Sequence, residues 1–332
     1  MNACPVSSIV DKFLDGSIVL SFDRTGFRRH AASFAASDLD VDLSGRVCLV
    51  TGANSGIGFQ TALGLAARKA TVWLLCRNRQ RADDAAREIR RRTGSRRVHS
   101  AELDVSDLGA VRRFVRNFEP RVVDVLVHNA GVLPDARIES PDGHELTLAT
   151  HVLGPALLTR LLLHKLRRSE DPRVVMVSSG GMYTQRLSVV DVEWHDRPYD
   201  GVAAYAQTKR MQVVLAEQFA DEFRPHGISV NSMHPGWADT PAVRTSLPRF
   251  WKTMQRRLRT PAEGADTAIW LAASAAARGQ SGRFWFDRLP RRTHLLPWTK
   301  ETQAERDALS RFCADSLARG AARADAAVLR RA

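Results

Sequence analysis

The chain has little of what covalent or metal scaffolding requires. Its 332 residues include four cysteines, Cys4, Cys48, Cys76 and Cys313, scattered without a CxxC pair or a Cys/His cluster. That pattern argues against a disulfide framework and against a metal site. A chain of this length can bury enough apolar surface to need neither, and a reducing, cytoplasmic setting is expected. No unbroken apolar run reaches the roughly 18 residues of a membrane span, so no transmembrane segment is expected. The N-terminal stretch MNACPVSSIVDKFLDGSIVL lacks a basic start and is interrupted by Asp11, Lys12 and Asp15, which makes it a poor signal peptide. Acid is also in deficit: 49 Lys+Arg against 36 Asp+Glu leave a formal charge of +13. A basic surface draws phosphate-rich ligands, acidic membranes or nucleic acid. Here the arginines are spread among acids, and nucleic acid is not the expected partner. Hydrophobic residues at 44% and charged residues at 26% are ordinary for a globular protein.

What is present is a regular alternation. Residues 1–43 show no sustained period apart from a helical stretch around 25–36. From Arg46, short β-branched runs alternate with helical patterns: RVCLVT, then GIGFQTALGLAARKA; TVWLLC, then RQRADDAAREIRRR; RVHSAELD, then SDLGAVRRFVRNF. VVDVLVHNA precedes the long helix HELTLATHVLGPALLTRLLLHKLRR; RVVMVSS precedes AAYAQTKRMQVVLAEQFADEF; GISVNSMHP follows, and RFWFDR offers a seventh strand. Such alternation means right-handed crossovers, a parallel sheet and helices on both faces. The fold class expected is α/β: a doubly wound Rossmann sheet in three α/β/α layers, as a single domain over 44–290. An N-terminal extension (1–43) and a C-terminal helical tail (291–332) flank it.

Between the first strand and its helix lies Thr51-Gly52-Ala53-Asn54-Ser55-Gly56-Ile57-Gly58. Glycine in this place permits the tight turn, close approach of a pyrophosphate and helix–strand packing. The helix start presents free N–H groups and a positive dipole end to that phosphate. After the second strand comes Arg77 and no acid until Asp83. An arginine fork suits a 2′-phosphate, so NADP(H) is favoured over NAD(H). Asp104 and Val105 close the third strand, where Asp104 either meets an adenine or caps the next helix, a role for which Ser106 competes.

Tyr205 and Lys209 are four residues apart in a helical pattern and share a face. A cation one turn away would lower the phenol's pKa from near 10 and make it a usable proton donor. YxxxK alone is weak. Here it follows the glycine loop, Asn129-Ala130-Gly131 and Ser178-Ser179, and precedes HPGWADT.

In that order these motifs resemble the short-chain dehydrogenase/reductase family: TGxxxGIG, NAG, VSS, YxxxK and PGxxxT. The resemblance covers about residues 44–290. CRN, GPALLT and VSSGGM look like its retinol-dehydrogenase-like branch. DPRVVMVSSGGM, MHPGWADTPAV and GRFWFDR look most like the subgroup called SDR family member 12. The resemblance implies Ser179 as the serine bonding the substrate oxygen, Tyr205 as general acid/base, and Lys209 as its partner and ribose ligand. It implies Asn129 as sheet support and cofactor contact, Pro235 and Gly236 as the loop beside the nicotinamide, and Thr240 near the carboxamide. The family's fourth catalytic residue is an asparagine in the long helix, and His151 stands there. A neutral histidine could hold the relay water in its place, or could charge and oppose Lys209. His128, at another family asparagine, reads as structural.

The expected reaction is reversible hydride transfer between NADPH and a carbonyl on a lipophilic small molecule. Substrate choice is expected in segments 182–204 and 237–260, with Trp194, Tyr199, Trp237, Phe250 and Trp251 lining the pocket. The broad apolar faces of helices 143–168 and 202–223 imply, by the same resemblance, a homo-oligomer (dimer or tetramer). Two rivals remain: an NADP(H)-binding regulator or scaffold without turnover, and a basic nucleic-acid or membrane-surface protein.

Overall fold

The computed structural model describes residues 21–329, with side chains to 319; residues 1–20 and 330–332, including Cys4 and the apolar N-terminal stretch, lie outside the described residues. The first helix, α1 (Arg24–Ala31), is capped by Asp23, whose carboxylate accepts from the N–H groups of Thr25 and Gly26. It ends earlier than expected. Ser33 donates its hydroxyl to the carbonyl of His30 at 2.7 Å, a local bond that competes with helix continuation.

The alternation then runs β1 (Val47–Thr51), α2 (Gly56–Ala67), β2 (Thr71–Cys76), α3 (Arg79–Thr93), β3 (Val98–Glu102), α4 (Leu108–Asn117), β4 (Val125–His128), α5 (Leu146–Leu166), β5 (Arg173–Val177), α6 (Gly201–Phe223) and β6 (Ser229–Met233). It continues with α7 (Pro241–Ser246), α8 (Pro248–Met254), α9 (Pro261–Ala273), β7 (Phe284–Phe286), β8 (Leu289–Arg291) and α10 (Gln303–Leu329). The sheet order is β3-β2-β1-β4-β5-β6-β7-β8, parallel except for the last pair. Successive strand residues face opposite layers. Leu49, Leu126, Val174 and Met176 enter the core beneath α4, α5 and α6, whereas Cys48, Val50, Val127, Val175 and Val177 enter the core beneath α2, α3 and α9. Strand order reverses between β1 and β4, which opens a crevice at their carboxyl ends.

Two features depart from expectation. β8 is an antiparallel edge strand, reached through Asp287 and Arg288 at φ of 50° and 58°. Two-residue hairpins of this hand normally carry Asn-Gly, and that signal is missing here. Asp287 is instead fixed by Arg259, at 2.6 and 2.8 Å, and by His30 at 2.6 Å. The second departure is α5, which is apolar and long enough to cross a membrane by length and composition, contrary to the reading of the sequence; 78% of that stretch is buried within the fold, as in a core helix. It is not uniform either. Pro155 has no N–H for the carbonyl of His151 four residues back, and the helix widens into a π turn over Ala149–Leu153.

The C-terminal helix lies across the long helices. Leu309, Cys313 and Ser316 are buried, Arg306 pairs with Glu217 at 2.6 Å, and Arg112 bonds the carbonyl of Leu317 at 2.9 Å. Part of the surface expected to hold a second copy is thus covered by the chain itself.

Candidate active site

The crevice floor is built from the ends of β1 and β4. The Thr51 hydroxyl accepts from the N–H groups of Asn129 and Ala130 at 3.0 and 3.1 Å. The Asn129 amide donates to the carbonyls of Thr51 and Gly52 at 3.0 and 3.2 Å. These bonds explain two glycines. Gly52 sits at φ +64°, and a Cβ there would lie 2.8 Å from Ala130 Cα; a Cβ on Gly58 would lie 2.3 Å from Asn129 Nδ2. Ser55 caps α2 by position, yet its side chain makes no capping bond, so the helix start offers backbone donors to an anion. Ile57 packs away, toward Gly264 of α9, while Asn54 lies in the loop and Gly56 opens α2, and the Thr240 methyl lies 3.3 Å from where a Gly56 side chain would begin. A cradle of this kind fits a dinucleotide pyrophosphate.

Around it, Arg77 is exposed directly after β2, and Asn78 caps α3 by accepting from Arg81 N–H. Asp104 accepts from the N–H and hydroxyl of Ser106 at 2.9 and 2.7 Å. The cap of α4 is Asp107, so neither Asp104 nor Ser106 takes the capping role weighed for them. Val105 is buried, and its carbonyl would stand 1.9 Å from a Cβ on Gly154, which fixes the approach of α5. Thr240 caps α7 through Val243 N–H at 3.3 Å. Gly236, at φ +70°, leaves no room for a side chain against Arg259, whose guanidinium also reaches the Pro235 carbonyl at 3.5 Å.

Ser179, Tyr205, Lys209 and His151 converge beside this cradle. Ser179 accepts from Gly181 N–H at 3.2 Å, and its hydroxyl neighbours the Tyr205 phenol. Burial pushes the Tyr205 pKa up, and Ser179 partly offsets it. Lys209 lies 5.5 Å from the phenol ring centre and donates to Val177 O and to Gln212 Oε1, both at 2.9 Å. The ammonium thus stands over the phenol ring while its hydrogen bonds go to Val177 O and Gln212 Oε1, and burial lowers its own pKa to about 7. Ser178 serves α6 differently, donating to the Lys209 carbonyl at 2.8 Å.

His151 has both ring nitrogens engaged. Nε2 accepts from Val132 N–H at 3.1 Å, and Nδ1 lies 2.8 Å from the Thr208 hydroxyl. The Thr208 proton goes to the carbonyl of Ala204 or Tyr205, so Nδ1 carries the imidazole proton and donates. No nitrogen is left for the relay water expected of this residue. Burial, and then Lys209, push its pKa well below the ordinary value, so the anticipated charge opposing Lys209 does not develop at neutral pH. The ring stands edge-on to Tyr205, with centres 5.3 Å apart. A Cβ on Gly131 would lie 3.1 Å from His151 Nε2 and 3.8 Å from Lys209 Nζ. His128 is buried in β4 against Thr159 at 2.8 Å, and burial lowers its pKa to about 3.

The aromatic residues divide. Trp194 is buried and packs edge-on against Tyr199, whose hydroxyl donates to Glu145 at 2.9 Å. This pair anchors the insertion to the start of α5, so it does not line a pocket as expected. Trp237 and Phe250 pack together at 5.3 Å, and Trp251 donates to Asp239 at 3.0 Å; these remain half-buried on the segment after β6. Two contributors went unread in the sequence. Phe22 fills the space above Gly180 and packs on Trp237 and His234, with no pattern to announce it. Gln212, three residues after Lys209, was open to helical spacing but resembles any polar helix residue.

Fold and site together define an oxidoreductase of the CH–OH/C=O type, and the chain belongs to the short chain dehydrogenase family, which it matches over residues 46–249. It is 44% identical over 291 residues to human "Dehydrogenase/reductase SDR family member 12", covering 87% of this chain and 91% of that protein. It is 34% identical to mouse "Retinol dehydrogenase 11" over 252 residues, covering 75% and 79%. Among solved structures, the Pseudomonas aeruginosa RhlG/NADP complex superposes with a TM-score of 0.61 at 26% identity, covering 75% of this chain and 96% of that one.

Proposed function

We propose that the chain interconverts a carbonyl and an alcohol on a lipophilic small molecule, with NADP(H) as hydride carrier and Tyr205 as general acid/base. The observation that carries this reading is the convergence of Ser179 and Tyr205, neighbouring and half-buried, beside the glycine cradle. When bound, the nicotinamide supplies or accepts the hydride. The chain's own residues do the rest. Gly52, Gly56, Gly58 and the start of α2 receive the pyrophosphate; Arg77, exposed after β2, takes the 2′-phosphate. The Ser179 hydroxyl steadies the substrate oxygen and Tyr205 delivers or removes its proton, while Lys209 turns its remaining N–H toward the ribose. Trp237 and Phe250 support an apolar substrate wall. A cytoplasmic location goes with this reading, because Cys48, Cys76 and Cys313 are buried thiols that need no oxidising compartment. A homo-oligomer through α5 and α6 would compete with α10 for the same surface, and sedimentation at micromolar concentration decides between them.

The test is NADPH oxidation against a panel of aldehydes and ketones. Tyr205→Phe should lose roughly 10²- to 10⁴-fold in kcat/KM, the usual contribution of a positioned proton donor, with NADPH affinity retained. Equal rates for variant and wild type would favour the binding-only scaffold. Arg77→Glu should raise the NADPH Kd at least about tenfold and leave NADH binding little changed.

A further inference from the structure

The family asparagine position holds His151, and that imidazole is consumed by Val132 N–H and the Thr208 hydroxyl. A buried ammonium still needs polar partners. One carboxamide stands next to it: Gln212 is 0% exposed, on the same helix as Lys209 and three residues further on, so the two face each other. Its Oε1 accepts from Lys209 Nζ at 2.9 Å, matching the bond to Val177 O. Its Nε2 is buried and has no partner among the described residues. A glutamine so placed in an apolar helix interior leaves a costly orphan donor, which a purely structural position would more economically fill with leucine or methionine.

We propose that Gln212 is a positioning residue for Lys209: it supplies from α6 the carboxamide that position 151 no longer carries, and it holds the ammonium so that one N–H remains for the ribose and the Tyr205 proton path. This rests on the reading of Tyr205 and Lys209 given above. With two of three N–H bonds committed to Val177 O and Gln212 Oε1, the Lys209 rotamer is fixed from two sides. The titratable groups facing the ammonium are Tyr205 on its own helix and His151 from α5, the latter held neutral.

The test uses Gln212→Leu and Gln212→Glu in the full chain, following the pH profile of kcat/KM for carbonyl reduction. Leucine removes the acceptor and disfavours the ammonium, so the alkaline limb should move to lower pH by about one unit; glutamate places a carboxylate against it and should move the limb up by a similar amount. Opposite displacements support the positioning role. Unshifted limbs, with activity lowered uniformly or not at all, overturn it. Loss of folding in one variant leaves the other, and Gln212→Asn, to carry the comparison. The pH dependence of NADPH affinity, read from nicotinamide fluorescence, should show the same displacements. Binding that shifts without any turnover in the wild type would sink the enzymatic reading while sparing this one, whereas turnover with unshifted profiles would do the reverse.

Discussion

Gly58 shows how little freedom some single positions have. The space its Cβ would need is taken by the Asn129 amide at 2.3 Å and the Gly52 carbonyl at 2.5 Å. Neither is the loose end of a flexible chain, because Asn129 is itself tied to Thr51 and Gly52. Gly58→Ala should therefore break the lock between β1 and β4, costing about 1–3 kcal/mol by overpacking and weakening NADPH binding several-fold. Urea unfolding and fluorescence titration measure the two effects, and an unchanged Kd would show that the lock does not shape the cradle. At this scale Ser179, Tyr205 and Lys209 were legible because their chemistry depends on spacing within one strand end and one helix. His151 was legible as a departure from pattern, but its partners were not, since Val132 and Thr208 come from other elements.

Among the elements, the N-terminal strap and the β7–β8 turn are joined through buried charge. Arg259 donates to the Ser21 and Phe22 carbonyls at 2.9 Å each and forms a two-pronged pair with Asp287, which also meets His30. Gly236, beside the nicotinamide position in the proposed reading, packs on that guanidinium. Removing one partner of a buried pair leaves the other uncompensated, at a cost of about 3–5 kcal/mol. Asp287→Ala should lose that much stability and also impair dinucleotide binding through the displaced loop. A variant that melts within a degree of the wild type would refute the strap. Nothing in residues 21–31 announces this pairing, because a histidine at 30 and an aspartate at 287 are related only by the way the chain returns to the sheet edge.

For the molecule as a whole, buried neutral histidines set the acid limit. Burial lowers His128 and His234 from 6.5 to about 3. Each binds a proton more readily when unfolded, so its contribution is fully present above about 6.5 and is lost progressively as pH falls toward about 3, at roughly 1.4 kcal/mol per unit. Urea midpoints should fall between pH 7.5 and pH 5, and His128→Gln should flatten that slope; a midpoint independent of pH would contradict the burial. The C-terminal helix acts at the same scale. Leu309→Asp places a charge where α10 meets α6 and α5, a fully buried position. The variant should either self-associate through the bared apolar face or lose several kcal/mol, as sedimentation and urea unfolding will report.

The order of strands and helices, the glycine loop and the Ser, Tyr and Lys positions followed from local pattern. Hydrophobic period, helix spacing and turn chemistry act over a few neighbouring residues, and adjacent side chains suffice to express them. The neutral tautomer of His151, the desolvation of Lys209 and Gln212, the Arg259–Asp287–His30 cluster and the cover of α5 and α6 by α10 could arise only once distant segments packed together. Each depends on which groups meet in a desolvated interior, where burial and a partner's proton, rather than residue type alone, set charge and hydrogen bonding.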